Sequence, residues 1–232
     1  MQKIFPLNDQ SITVSFGDVI DLNINRNAQQ LYRKILELND PYIIDVVPTY
    51  TNVTVFFNHK LISYNEMEDK LKGLIEELTS QSDEVKTKII HIPVYYDGPD
   101  LERVAQYNHI TTDEVIKRHV DGQYQVYMIG FLPGFPYLGG LDEQLATPRL
   151  NQPRPKTPAG SVGIANHQTG IYSVESPGGW NIIGYTPISI FDLEKEQPFL
   201  FQAGDVLKFY EISKLQLDEG QQPEVEWLDE NY

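Results

Sequence analysis

Apolar and polar residues alternate over Ser11–Phe16 (SITVSF), the period-two pattern of a half-buried strand. The period then lengthens to helical spacing over Asn27–Leu38, where Leu31, Ile35 and Leu38 share a face. Two β-branched and aromatic runs follow, Tyr42–Val47 and Val53–Phe57, joined by turn chemistry at Pro48–Asn52, and together they predict an antiparallel hairpin. A second amphipathic helix carries Met67, Leu71, Leu74, Ile75 and Leu78 on one side. Lys88–Tyr95 (KIIHIPVY) reads as a further strand. The predicted order over residues 1–97 is therefore βαββαβ, the split βαβ arrangement of a ferredoxin-like α+β domain.

Beyond Asp97-Gly98-Pro99 the texture changes. Leu101–Tyr107 and Thr112–His119 read as short helices, the second opened by Thr111 with Glu114 three residues on, and residues 98–122 are expected to form a helical connector. Over residues 123–215 no long helical period survives. Short apolar runs (Tyr124–Phe131, Ser161–Ala165, Gly170–Val174, Asn181–Tyr185, Ile188–Phe191, Val206–Tyr210) are punctuated by glycine and proline, which predicts an all-β, closed or nearly closed barrel. The acidic end, residues 216–232, reads as a surface tail.

Charge narrows the function. A formal net charge of -15 repels phosphate backbones and anionic lipid, so neither nucleic acid nor a membrane is an expected partner. No apolar run approaches the roughly eighteen residues of a membrane span, and the start MQKIFPLNDQ has no signal-peptide pattern, so a cytoplasmic protein is expected. The absence of cysteine excludes disulfides, thiolate metal sites and a cysteine nucleophile. Between Gln123 and Phe191, however, three acids (Asp142, Glu143, Glu175) balance three bases (Arg149, Arg154, Lys156). A neutral window in an acidic chain is where an anionic ligand would be received.

Three segments in that window carry candidate chemistry. In Gly130–Gly140 (GFLPGFPYLGG) prolines hold aromatics in place while glycines admit close approach, so Phe135, Pro136 and Tyr137 are candidates for the wall of a site. A hydrophobic plug at a barrel end would use the same residues. In Thr147–Ser161 prolines interleave with Arg149, Arg154 and Lys156, ahead of Ser161, and present planar guanidinium forks suited to carboxylate or phosphate; solvated loop cations are the plainer reading. In Glu175–Asn181 the turn residues Gly178 and Gly179 can expose amides to an oxyanion beneath Trp180, or simply make a hairpin around a core tryptophan. There is no phosphate loop, dinucleotide fingerprint, nucleophile elbow or H-E-x-x-H, and the five histidines lack metal-ligand spacing. No catalytic acid, base or nucleophile is named, and no metal site is expected.

Taken together, GFLPGFPYLGGL (Gly130–Leu141), TPR with RPKTPAGSVGIA (Thr147–Arg149, Arg154–Ala165), QTGIY (Gln168–Tyr172) and ESPGGWNIIGYTP (Glu175–Pro187) resemble the KipI/allophanate-hydrolase-subunit-1 family, the family of 5-oxoprolinase B subunits. Ser173, Asn166 and Tyr185 depart from its common proline, glycine and arginine. The resemblance implies a cyclophilin-like barrel and a non-autonomous subunit, inactive alone, of an ATP-dependent (magnesium-requiring) enzyme opening 5-oxo-L-proline to L-glutamate. It implies as partners a subunit-C-like chain (KipA, or allophanate hydrolase subunit 2) and a subunit-A-like chain, with no cofactor bound by this chain itself. Some family members resemble inhibitors that bind a sensor histidine kinase and block its autophosphorylation. Others resemble parts of urea-degrading enzymes, and a peptide-binding barrel is a further alternative.

Overall fold

The structure, a computed structural model, describes residues 2–80, 87–220 and 223–228. The chain divides into two units, Met1–Val85 and Lys86–Tyr232.

The first unit contains β1 (Lys3–Asn8), β2 (Ser11–Ser15), α1 (Leu22–Glu37), β3 (Ile43–Pro48), β4 (Asn52–Phe57) and α2 (Tyr64–Ser80). Its strands form one antiparallel sheet in the order β1-β2-β4-β3. The predicted hairpin is β3–β4, closed where the Thr49 amide donates to the Asn52 carbonyl at 2.8 Å. Helix α1 starts five residues before its expected beginning because the Asp21 carboxylate accepts from the amides of Asn23 and Ile24. Ile12, Val14, Val53 and Val55 from the sheet and Leu31, Ile35, Met67 and Leu71 from the helices are buried in one cluster. On the other face Thr13 and Thr54, register partners, join hydroxyls at 2.9 Å.

The second unit runs β5 (Thr87–Val94), α3 (Leu101–Tyr107), α4 (Thr112–Asp121), β6 (Tyr124–Ile129), β7 (Pro136–Gly139), a 3-10 turn (Glu143–Leu145), β8 (Arg154–Thr157), β9 (Ser161–Ala165), β10 (Gln168–Ile171), β11 (Ser176–Gly178), β12 (Asn181–Tyr185), β13 (Val206–Glu211), α5 (Lys214–Glu219) and β14 (Glu224–Leu228). Eight strands form a sheet in the order β12-β9-β10-β7-β6-β13-β5-β14, while β8 and β11 make a separate antiparallel ribbon. The ladder is open in order. A bridge between Tyr95 and Tyr185, with Gly98 N to Ile183 O at 3.1 Å and Asp100 N to Ile182 O at 2.9 Å, ties the stretch beyond β5 to β12 at the ladder's far end.

Three expectations change. The strand expected to close the first unit is β5 of the second, so the first unit reads ββαββα and the division falls near residue 85, not 97. Ile89, Ile90, Ile92 and Val94 are all buried, with only half-buried Lys88 and His91 polar among them, and such a run favours an interior position in a sheet. It obtains one between β13, which it pairs in parallel, and β14. The place beside β2 is taken instead by β1, an edge strand containing Pro6. Residues 98–122 are not a spacer, because Val104, Ala105 and Val115 of α3 and α4 belong to the second core. Nor is the acidic end merely a tail: Ser213 and Gln216 form a capping box on α5, and β14 is an edge strand on β5; residues 221–222 and 229–232 lie outside the description.

Candidate functional site

Phe135 leads into β7 and Trp180 precedes β12, yet the two rings meet edge to face with centroids 5.4 Å apart. Phe135 also meets Tyr137 at 5.1 Å, Tyr172 at 5.5 Å and Phe131 at 5.7 Å, so one ring organises the whole aromatic cluster. A side chain on Gly170 of β10 would begin 2.9 Å from Phe135 Cζ, which makes a glycine necessary for that ring to sit down on the sheet. Phe135 and Trp180 are buried, 1% and 5% exposed, and Pro136 is buried with them. Being buried, these residues do not line an accessible surface, and a hydrophobic plug would hold them in the same way. The surface is supplied by half-buried Tyr137 and by Phe131, which is 66% exposed and held at φ 63°.

The two arginines have different roles. Arg154, on β8, donates from Nη2 to Asp100 Oδ1 at 2.6 Å and from Nη1 to the Trp180 carbonyl at 3.4 Å. The Asp100 carboxylate is buried, and its other oxygen accepts the Ile182 amide at 2.7 Å. Arg154 is thereby a strut between α3, the ribbon and β12. Arg149 is exposed, lies 5.9 Å from the Trp180 ring centroid and has no carboxylate partner among the described residues. Burial raises the Tyr137 hydroxyl's pKa while the charge of Arg149 pulls it back; Tyr172 is likewise raised by burial and lowered by the Trp180 amide, Arg149 and Arg154. The charge of Arg149 is thus felt at both hydroxyls.

The remaining candidates lie apart in role. Lys156 pairs with Glu175 at 2.9 Å on the outer, exposed side of the ribbon, and that hydrogen bond and charge hold its ammonium above the usual lysine range. Ser161 is buried and donates to the Pro158 carbonyl at 2.7 Å, a turn contact. The Gly179 carbonyl accepts the Leu150 amide at 2.7 Å, fastening the arginine loop to the Pro-Gly-Gly turn. Gly178 lets the Tyr172 hydroxyl approach: a Cβ there would stand 2.3 Å from Tyr172 Oη and 2.8 Å from Thr157 Oγ1. Sequence reasoning thus brought Phe135, Arg149, Arg154, Gly178 and Trp180 to one place. It missed Asp100 and Tyr172 as their partners; Asp100 stands at the start of α3, where an aspartate reads as a cap, although its side chain makes no capping bond.

Fold and site define a two-unit mixed α/β protein whose glycine- and proline-rich segments close on a single aromatic cluster beside Arg149, which no carboxylate among the described residues pairs. The chain belongs to the carboxyltransferase domain family, subdomain C and D, which it matches over residues 2–201. It is 40% identical over 224 residues to the 5-oxoprolinase B subunit of Bacillus subtilis strain 168, an alignment covering 91% of this chain and 93% of that protein. Among solved structures, TTHA0988 superposes with a TM-score of 0.80 at 34% identity, over 88% of this chain and 40% of that one, so the chain spans about two fifths of that polypeptide. The urea amidolyase of K. lactis shares the fold, with a TM-score of 0.78 at 22% identity over 98% of this chain and 16% of that one.

Proposed function

We propose that this chain is the B subunit of a cytoplasmic, ATP-dependent 5-oxoprolinase that opens 5-oxo-L-proline to L-glutamate and is inert without subunit-A-like and subunit-C-like partners. The observation that carries the reading is the near end-to-end likeness to the B. subtilis protein, 40% identical over 91% of this chain. The site is compatible with it. An unstrained lactam resists water at neutral pH, and ATP supplies the activation by phosphorylating the amide oxygen; water then adds, the ring C–N bond breaks, and phosphate leaves. In this chain Arg149 orients the substrate carboxylate above Trp180, with Tyr137 beside it, while Arg154 holds that surface in position. Gly178 serves close packing of Tyr172, and in this reading ATP and magnesium are requirements of the complex as a whole.

The test is reconstitution. The chain co-expressed with its A-like and C-like partners should release glutamate from 5-oxoproline only with ATP, and each chain alone should release none. Assembly of all three without turnover, together with suppression of a sensor histidine kinase by this chain, would replace the enzymatic reading with the regulatory one.

A further inference from the structure

Phe131 is unfavourable twice over within its own chain. Its ring is 66% exposed, and its backbone sits at φ 63°, a left-handed conformation that bulky side chains rarely adopt. The turn nevertheless fixes it there. The Leu132 amide donates to the Gly130 carbonyl at 2.7 Å, the Phe135 amide to the Leu132 carbonyl at 3.1 Å, and the Gly130 amide to the Phe135 carbonyl at 3.1 Å. A large aromatic held out in water on a strained backbone points to a use outside the fold.

A second exposed ring stands against the same turn. Phe191 and Phe199 face each other across a short antiparallel hairpin, their rings stacked with centroids 5.4 Å apart. The Asp192 amide donates to the Pro198 carbonyl at 2.9 Å and the Leu200 amide to the Ile190 carbonyl at 3.1 Å, which closes the hairpin. The hairpin meets the Phe131 turn at Gly134, where an added Cβ would stand 3.2 Å from Phe191 Cβ and 3.3 Å from Phe199 Cδ1. Phe199 is 45% exposed, and Pro133, in the same turn as Phe131, is exposed as well. Phe131, Pro133 and Phe199 therefore form one apolar ridge. The hairpin's tip is charged: Asp192, Glu194 and Glu196 against Lys195, three acids to one base, leave it formally at -2.

We propose that this ridge docks the subunit-C-like chain, through an apolar surface on that chain bordered by cations facing the hairpin tip. Exposed aromatics with a charged border are what protein interfaces present. The negative border selects a basic counterpart. The Phe131 ring also meets Phe135, which touches Trp180, so a chain seated on the ridge stands beside the cluster that carries Arg149. The family is subdomain C and D of a carboxyltransferase domain, so the surface that completes such a domain belongs to its other subdomains. The assignment rests on the 5-oxoprolinase reading for the identity of the partner.

The chain is titrated calorimetrically with the purified C-like chain at low and high salt, and its melting temperature is measured alone. Asparagine accepts left-handed backbone, so Phe131→Asn removes the ring without recasting the turn. Glu194→Lys with Glu196→Lys reverses the border. Phe131→Asn should bind about thirtyfold more weakly, or worse, at an unchanged or higher melting temperature. The charge-reversed variant should also bind weakly, and its affinity should rise with salt where that of the unaltered chain falls. Unaltered affinity in Phe131→Asn, or no association of the unaltered chain, overturns the proposal. Should Phe131→Asn melt lower, the charge-reversed variant decides, and the unaltered affinity and salt dependence there would overturn it too. Loss in Phe131→Asn of self-association or of sensor-kinase binding, with the C-like chain still bound, gives the ridge another occupant and has the same force. If the variants lose the C-like chain but no complex of all three chains hydrolyses 5-oxoproline, the docking face stands and the enzymatic reading falls. If Phe131→Asn keeps the C-like chain and its complex releases glutamate, the docking face falls and the enzymatic reading stands.

Discussion

The two units are held together by different means. In the first, aliphatic side chains from two helices press on one face of a four-stranded sheet, and volume is what matters. In the second, an apolar core of its own also takes in polar groups that bond to one another across elements. His119 is fully buried on α4; its Nε2 donates to Thr169 Oγ1 at 2.9 Å, because the Thr169 hydroxyl gives its own proton to the Gly163 carbonyl, and its Nδ1 accepts from Tyr96 at 2.7 Å. Asp100 and Arg154 repeat the pattern closer to the site. An oily core tolerates exchange of similar shapes, whereas a bonded core fails when one partner is removed, and the candidate site is built on the second kind.

Acid offers the largest break in that comparison. Burial lowers the His119 pKa from 6.5 to about 3. Below pH 6.5 the unfolded chain takes up a proton that the folded imidazole refuses, so this contribution to stability is complete above 6.5 and declines as pH falls. The loss is about 1.4 kcal/mol per pH unit and reaches about 5 kcal/mol near pH 3. Urea midpoints measured from pH 7 to pH 4 should show this slope, and His119→Gln should flatten it; an equal slope in the variant would assign the effect elsewhere.

Next comes Arg154→Ala. It strands the Asp100 carboxylate in a site where only 7% of that side chain is exposed, at a cost of about 3–5 kcal/mol. The second unit's urea transition should move accordingly while the first unit's stays in place. Because the variant damages the scaffold, its loss of activity would not by itself show that Arg154 touches substrate.

Much of this was legible. Helical spacing marks Leu31/Ile35 and Met67/Leu71 as core, and the turn at Pro48–Asn52 marks its hairpin, since local periodicity reports which face is buried. Strand β1 was not legible, because KIFPLN is an exposed edge with a proline and no alternation. The destination of β5 was not, because a run buried on both sides does not name its partner. At the site, the motifs brought Phe135, Arg154 and Trp180 together, but which arginine is already paired depends on Asp100, fifty-four residues from Arg154 in sequence.

The smallest effect on stability should come from Arg149→Ala, and it is the most informative about function. Arg149 is exposed and contributes one ring contact at 5.9 Å, so its loss should cost less than about 1 kcal/mol and leave the urea midpoint nearly unchanged. Its guanidinium is the charge over the aromatic cluster that no carboxylate among the described residues neutralises. If that charge orients the substrate carboxylate, glutamate release by the reconstituted complex should fall at least tenfold, with KM rising, and Arg149→Lys should restore part of it as a point charge without the planar fork. Full activity in a folded Arg149→Ala complex would remove Arg149 from the site and leave Arg154, Asp100 and the rings as a structural knot with no ligand of their own.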